Sequence, residues 1–188
     1  MNETHDATAT NDTGDRPSSG VIGYFLWLLL AAVIIGLDQL TKLAIIRWVE
    51  RYDRHPITSF LNITHHQNTG AAFSFLADAG GWQRWFFSIL AIAVSVVIGV
   101  WLFRLRQQRL FVLSLGLSLV LGGAIGNLID RVRLGYVTDF IQVMFGSWPF
   151  PSFNVADAAI SVGAACLIID ALFISGRQTA EPEKGQAS

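Results

Sequence analysis

The stretch "GGAIGNLIDRVRLGYVTDF" (residues 122–140) changes from an apolar, glycine-rich segment to a charged one within its own length. Its second half holds four charged side chains within ten residues, namely Asp130, Arg131, Arg133 and Asp139. An ionisable residue at the edge of a membrane span usually faces protein or a water-filled cavity, because contact with lipid is costly. The stretch therefore predicts one wall of a polar pocket at the edge of a membrane.

The chain as a whole has the composition of an integral membrane protein. Of its 188 residues, 52% are hydrophobic and only 14% are charged, which is too apolar for a soluble domain of this length. A helix needs about 20 mostly apolar residues to cross a bilayer. Four segments approach that length: 21–37, 85–103, 110–129 and 158–176. We therefore predict an all-α membrane protein with four transmembrane helices.

Four spans place both termini on one side of the membrane. The short connection 104–109, "RLRQQR", carries three arginines and is assigned to the cytoplasm by the positive-inside tendency. Because the 13 Lys and Arg residues, with this connection included, divide almost evenly between the two sides, six against seven, the predicted orientation depends on the short connection. The termini are then cytoplasmic, and the two longer segments, 42–84 and 130–157, lie outside.

These two segments predict a small, extracytoplasmic β-containing cap that rests on one face of the membrane. The β-branched run within residues 55–68 favours a short strand, which turns at Asn68 and Gly70 into an apolar, helical piece. Aromatic residues of the kind that prefer the headgroup layer cluster at the boundaries of the cap: Trp48, Tyr52, Trp82, Trp85 and Trp148.

Outside the membrane domain, predicted at 21–176, the chain has two polar tails. Residues 1–20 are acidic and lack apolar periodicity, which predicts a disordered N-terminal tail rather than a cleaved signal peptide, and 177–188 form a C-terminal tail. The net charge of −1 gives no reason to expect a nucleic-acid partner. Cys166 is the only cysteine, cannot form an intramolecular disulfide and is given no role.

Six polar residues at the ends of the spans fall on the capped side: Asp38, Lys42, Asn127, Asp130, Arg131 and Asp157. In "DQLTK", Asp38 and Lys42 share a helical face and can form an ion pair. This pair either stabilises the end of the helix or contacts a substrate. "NTGAAF" (residues 68–73) is explained equally well by a plain turn and by a groove that admits another chain. In "GNLIDR", the Arg131 guanidinium can bind a carboxylate or the backbone carbonyl group of a bound chain. Alternatively, Asn127, Asp130 and Arg131 only close the helix end and contact lipid headgroups.

Two carboxylates stand out as candidates for chemistry. Asp139 follows the β-branched "VT" and precedes an aromatic residue, so it needs a partner, and the topology brings Asp157 near it. An alternative for Asp157 is that it only caps the fourth helix together with Asn154. Two adjacent carboxylates retain one proton, which suits general acid and base catalysis of hydrolysis. His65 and His66 would point to opposite sides of a strand, so no joint metal site is expected.

With these motifs in order, the chain resembles the bacterial lipoprotein signal peptidases (signal peptidase II). The resemblance covers residues 21–175 and depends on "DQLTK", "NTGAAF", "GGAIGNLIDR", "GYVTDF" and "FNVADAAI" occurring together with four spans. It implies an aspartic endopeptidase of the bacterial inner membrane, with its active site near the outer face. The implied reaction removes signal peptides from diacylglyceryl-modified prolipoproteins by cleavage before the lipidated cysteine.

The resemblance also implies roles for individual residues. Asp139 and Asp157 become the catalytic pair, and Asn127 and Arg131 contact substrate or support the pair. Further residues are implied to line or brace the site: Asp38, Lys42, Asn68, Gly123, Asp130, Asn154 and Ala156. No metal and no cofactor is expected. The expected partners are prolipoproteins and membrane lipids, and the expected oligomeric state is a monomer.

Two other classes of protein remain compatible with part of the pattern. A small transporter or proton conductor also carries ionisable residues near its spans, but it would distribute them through the membrane depth. Here the middles of all four predicted spans carry no charge, and Asp170 lies near the cytoplasmic end of the fourth span. A noncatalytic scaffold or lipid-binding protein would need the cap but not both Asp139 and Asp157. Cleavage of a diacylglyceryl-modified prolipoprotein separates these classes.

Overall fold

The computed structural model describes residues 19–70, 81–108 and 110–175, and within them it contains four long helices. They are α1 (Ser19–Trp48), α2 (Trp82–Arg104), α3 (Phe111–Arg133) and α4 (Val155–Ile169), the last continued by a π-helical turn (Asp170–Ser175). All four are long and apolar enough to cross a membrane. The predicted four-helix membrane fold is confirmed. Most of both predicted tails, and the apolar piece that follows Gly70, lie outside the described residues.

Helix α1 differs from its prediction at the C-terminal end. The apolar run ends at Leu37, but the helix continues to Trp48. Its 30 residues extend over about 45 Å at the usual rise of a helix. Asp38 and Lys42 are therefore inside a helix and buried rather than at its end. The polar segment stays helical because its charged side chains find partners on other elements.

Helix α3 lies at the centre of the bundle. More than half of the most apolar stretch of α3 is buried inside the protein, compared with 11–17% for the other three helices. Helix α3 packs against all three of them. Large apolar side chains on α1 and α2 face outward instead, among them Leu26, Leu29, Ile89 and Val97. This outward apolar surface is what a bilayer requires of lipid-facing helices.

Glycines bring α3 and α4 into close contact. A Cβ atom on Gly163 would lie 2.7 Å from the carbonyl oxygen of Gly116, and one on Gly116 would lie 2.9 Å from the carbonyl oxygen of Gly163. Nearer the cap, a Cβ on Gly123 would collide with the carbonyl oxygen of Ala156. Small residues of this kind allow membrane helices to approach closely.

We expect Gly163→Ala to destabilise the protein by roughly 1–3 kcal/mol, because the added methyl group meets backbone atoms that must move. Gly99→Ala is the matched control, since a Cβ on Gly99 of α2 meets nothing within 4 Å. Thermal unfolding of the two variants in detergent tests the difference. Equal midpoints for both variants would show that the α3–α4 contact tolerates expansion.

A four-stranded antiparallel sheet forms the cap at one end of the bundle. Its strands are β1 (Arg54–Pro56), β2 (Leu61–Asn68), β3 (Val137–Phe145) and β4 (Trp148–Pro149), in that order across the sheet. The sequence predicts β2, but β1 and β4 are too short to be recognised from a hydrophobic pattern. Strand β3 follows α3 and leads through β4 to α4, so the sheet joins the helix ends on which the predicted site residues lie.

Candidate active site

The candidate site lies where the C-terminal part of α1, the end of α3, the start of α4 and strand β3 meet. Asp139 projects from β3 and is only 3% exposed. Its Oδ1 accepts a hydrogen bond from Asn154 Nδ2 at 2.7 Å, and its Oδ2 accepts one from Asn68 Nδ2 at 2.9 Å. Burial, followed by the negative charge of Asp157, raises the pKa of Asp139 to about 7. A carboxyl group in this environment can hold a proton near neutral pH.

Asp157 occupies the first turn of α4 and makes the capping interactions that its spacing predicts. Its backbone N–H donates to Asn154 Oδ1 at 2.9 Å, and its Oδ2 accepts from the Asn154 backbone N–H at 3.3 Å. Its other oxygen, Oδ1, accepts a hydrogen bond from Asn127 Nδ2 at 2.7 Å. Asp157 is partly exposed, whereas Asp139 is buried. Capping therefore uses only part of this carboxylate and leaves it accessible.

Two asparagine side chains connect the carboxylates to each other and to the helices. The Asn154 amide donates to Asp139 while its oxygen caps α4 at Asp157. The Asn127 amide donates to Asp157, and its oxygen accepts from Asn154 Nδ2 at 3.2 Å and from Lys42 Nζ at 3.0 Å. Because each amide has one donor end and one acceptor end, these bonds determine the orientation of both side chains.

Lys42 forms the centre of a second, deeper cluster. Its ammonium group lies 2.8 Å from Asp38 Oδ2 and 3.0 Å from Asp130 Oδ2, and it is 2% exposed. The pair predicted from "DQLTK" is thus present, but it includes a second carboxylate, 88 residues away along the chain. Asp38 Oδ1 also accepts the Ala156 backbone N–H at 3.0 Å. This cluster joins α1, α3 and α4 and is connected to the candidate carboxylates through the bond from Lys42 to Asn127.

Several residues of this cluster were not singled out from the sequence. Gln39 donates to Asp130 Oδ1 at 2.9 Å and to the carbonyl oxygen of Gly126 at 3.1 Å. A Cβ atom on Gly126 would lie 2.8 Å from Asp38 Oδ2, so only glycine leaves room for that carboxylate. The Thr138 backbone N–H donates to Asp130 at 3.2 Å. The sequence contained one signal for Gln39: a polar amide side chain next to Asp38, at the end of an apolar segment, needs a partner from another part of the protein.

Arg131 and the turn at Asn68 complete the rim of the site. Among the residues that the structure describes, the Arg131 guanidinium makes one hydrogen bond, to the Asn127 carbonyl oxygen at 3.4 Å, and lies over the Phe87 ring at 5.3 Å. The predicted turn is present, since Gly70 has a φ of 92° and its N–H donates to Asn68 Oδ1 at 2.8 Å. Asn68 therefore forms the turn with its oxygen and holds Asp139 with its amide.

The two adjacent histidines contact different partners. His65 Nδ1 is 2.9 Å from the Val49 carbonyl oxygen, whereas His66 Nδ1 is 2.9 Å from Ser152 Oγ. Within residues 19–70, 81–108 and 110–175, no group of three or more His, Cys, Asp or Glu side chains is arranged to hold a metal ion.

The fold and this site define the class of the protein as a multi-pass membrane enzyme. Two solved structures, both described as "Bacterial membrane enzyme structure by the in meso method", are similar to it. The one at 1.9 Å has a TM-score of 0.69 and 35% identity, and the match covers 80% of this chain and 95% of that chain. The one at 2.3 Å has a TM-score of 0.70 and 33% identity, covering 87% and 95%.

Sequence comparison identifies the family within this class. The sequence profile described as "Signal peptidase (SPase) II" matches residues 30–173. The "Lipoprotein signal peptidase" of Burkholderia vietnamiensis is 48% identical over 160 residues, which cover 85% of this chain and 94% of the relative. That of Teredinibacter turnerae is 48% identical over 153 residues, covering 81% and 90%. The chain belongs to the signal peptidase II family and is a membrane peptidase.

Proposed function

We propose that the protein is an aspartic endopeptidase that removes signal peptides from diacylglyceryl-modified prolipoproteins and cuts just before the lipidated cysteine. The observation that supports this most directly is the arrangement of Asp139 and Asp157, held on either side of Asn154 where the cap meets the helices. Family membership supports the peptidase activity, and the names of the relatives support the substrate class.

In this proposal the two carboxylates divide the acid and base roles. Ionised Asp157 takes a proton from a water molecule as the water oxygen attacks the scissile carbonyl carbon, and protonated Asp139 donates its proton to the carbonyl oxygen. As the C–N bond breaks, Asp157 gives its proton to the leaving amine and Asp139 recovers a proton from the hydroxyl group. The products are the carboxyl end of the signal peptide and the free amino group of the lipidated cysteine.

The surrounding residues support this division of roles. Asp139 is assigned as the acid because it is the more buried carboxyl group and its pKa is raised to about 7. Asn68 and Asn154 orient Asp139, while Asn127 orients Asp157. We propose that Arg131 binds a carbonyl group of the substrate, since it lies at the rim of the site with most of its donors uncommitted among the described residues.

We expect kcat/KM to fall as the pH rises through about 7, because the proton that Asp139 must donate is lost in that range. A raised carboxyl pKa means that the protonated form persists from acidic pH up to that value, so the loss occurs on the alkaline side. The measurement is kcat/KM for prolipoprotein cleavage between pH 5 and 9. A rate that stayed constant up to pH 9 would exclude a protonated Asp139 as the acid.

The proposal also includes the placement of the enzyme in the inner membrane. With the 104–109 connection in the cytoplasm, both termini are cytoplasmic and the cap lies on the outer side. The acyl chains of the substrate can then remain in the bilayer, next to the outward apolar faces of the helices, while the peptide reaches the carboxylates. We propose that residues 21–176 act as one domain and that the enzyme works as a monomer.

The decisive experiment gives the purified full-length protein a diacylglyceryl-modified prolipoprotein in detergent. We expect a shortened product on a gel, with the lipidated cysteine at its new N-terminus by mass spectrometry. The same prolipoprotein without the diacylglyceryl group is the matched control for substrate class. Absence of cleavage of the modified form contradicts the proposed function, and equal cleavage of both forms contradicts the role of the lipid.

A further inference from the structure

An irregularity in strand β2 decides which side chains face Asp139. Strands β2 and β3 are in register at Ile63, and the pairing resumes at His66, which lies opposite Asp139, with one more residue on β2 than on β3 in between. Without this bulge His65 would lie opposite Asp139. Directly opposite residues of an antiparallel pair project from the same face of a sheet, so the bulge places His66 on the face of Asp139. Bulges commonly re-aim side chains beside active sites.

His66 is connected from this position to the chain that enters α4. Its Nδ1 lies 2.9 Å from Ser152 Oγ, and the same hydroxyl oxygen lies 3.1 Å from Thr64 Oγ1. Ser152 precedes Asn154 by two residues, and the Asn154 amide donates to Asp139 at 2.7 Å. One serine thus connects strand β2 to the segment that delivers the amide to the buried carboxyl group, a segment that the Phe153 backbone also bonds to β3.

We propose that His66 is a positioning residue for the carboxylate pair, which acts through Ser152 to aim the Asn154 amide at Asp139. The inference rests on the proposed function, because it concerns the geometry of the same two carboxylates. Burial, and then the neighbouring His65, lower the pKa of His66 below its usual value. The imidazole is therefore neutral at pH 7, and it contributes position rather than charge.

The positioning has a consequence for the proton on Asp139. The hydrogen bond from Asn154 stabilises the ionised form of Asp139 and so lowers its pKa. Burial and the charge of Asp157 raise the same pKa by more. If the amide is no longer aimed at Asp139, the pKa rises further and the proton is retained to higher pH. Among the residues that the structure describes, the titratable groups that face Asp139 are Asp157 from α4, Lys42 from α1, Arg131 from α3 and His66 from β2.

The test compares His66→Phe, which keeps a ring but removes both nitrogens, with Ser152→Ala, which removes the hydroxyl group. We expect each to lower kcat about tenfold, the order of effect of a small misplacement at an active site, with KM changed less than about twofold. The alkaline limb of kcat/KM should move to higher pH in both variants. The double variant should match the single ones, because both changes break one contact.

Two further variants separate positioning from general stability. Ser152→Thr retains the hydroxyl group and should keep most of the activity and the original pH profile. His65→Phe is the matched control, since it removes a neighbouring histidine that bonds to the Val49 carbonyl oxygen. It should lower the thermal midpoint without moving the alkaline limb. If His66→Phe does not fold, Ser152→Ala and Ser152→Thr still decide the question.

The inference is overturned if Ser152→Ala keeps the wild-type kcat, if its thermal midpoint falls with no change in the pH profile, or if the losses multiply in the double variant. Wild-type protein is assayed alongside on the same prolipoprotein. No cleavage by the wild type refutes the proposed function itself. Normal cleavage by wild type and by both Ser152→Ala and His66→Phe refutes only the role of His66.

Discussion

Asp139→Asn and Asp157→Asn are each expected to lower the rate of prolipoprotein cleavage by at least about 10³-fold, without loss of folded protein. Asparagine keeps the size of the side chain, and its one oxygen can still accept the hydrogen bond from Asn154 at position 139 or from Asn127 at position 157. Its NH2 group cannot accept the second bond that each carboxylate receives, so we expect a small loss of stability in a protein that still folds. What is lost is the ability to take up and release a proton. Single-turnover cleavage in detergent measures the rate, and the thermal midpoint measures the folded state.

The double variant distinguishes a joint mechanism from two separate contributions. Residues that act as a unit are strongly non-additive, so Asp139→Asn/Asp157→Asn should be little worse than either single variant. Asp53→Asn is the matched control, because it removes an exposed carboxylate of the cap that pairs with His55. It should leave the rate unchanged. Full activity in either single variant would end the proposal of a carboxylate pair.

Lys42→Met is expected to cost roughly 3–5 kcal/mol of stability, a large part of the total for a typical protein. The ammonium group neutralises Asp38 and Asp130 together, and all three side chains are almost completely buried. Removal of the lysine leaves two carboxylates close together without a cation. We therefore expect little folded protein, as measured by yield after size-exclusion chromatography and by thermal unfolding.

Asp38→Asn should cost much less than Lys42→Met, about 1–2 kcal/mol, because Lys42 keeps Asp130 as its partner. An isolated helix-end pair, as the spacing in "DQLTK" predicts, would make the two losses similar. Arg47→Met is the control for charge alone, since it removes an exposed cation from the last turn of the same helix. Equal destabilisation by Asp38→Asn and Lys42→Met would contradict the shared role of the lysine.

The sequence by itself determined the features that depend on local composition and on chain order. Four apolar segments of spanning length specify four helices, because a bilayer requires about 20 apolar residues for each crossing. Because successive spans cross the membrane in alternating directions, the ends of α1 and α3 and the start of α4 lie on one side. The Asn154–Asp157 spacing predicts the cap of α4, which is present. Asp139 and Asp157 could be named because each is a carboxylate at such a boundary.

Only the tertiary structure decided which polar groups meet. The bonds from Lys42 to Asp130 and from Asn68 to Asp139 join residues 88 and 71 positions apart, and no local periodicity encodes such distances. The bulge in β2 is likewise invisible in a short polar strand, yet it selects His66 rather than His65 to face Asp139. Local patterns specify which residues lie at a boundary. The pairing among them follows from packing, because a buried charge or amide is stable only where another element supplies its partner.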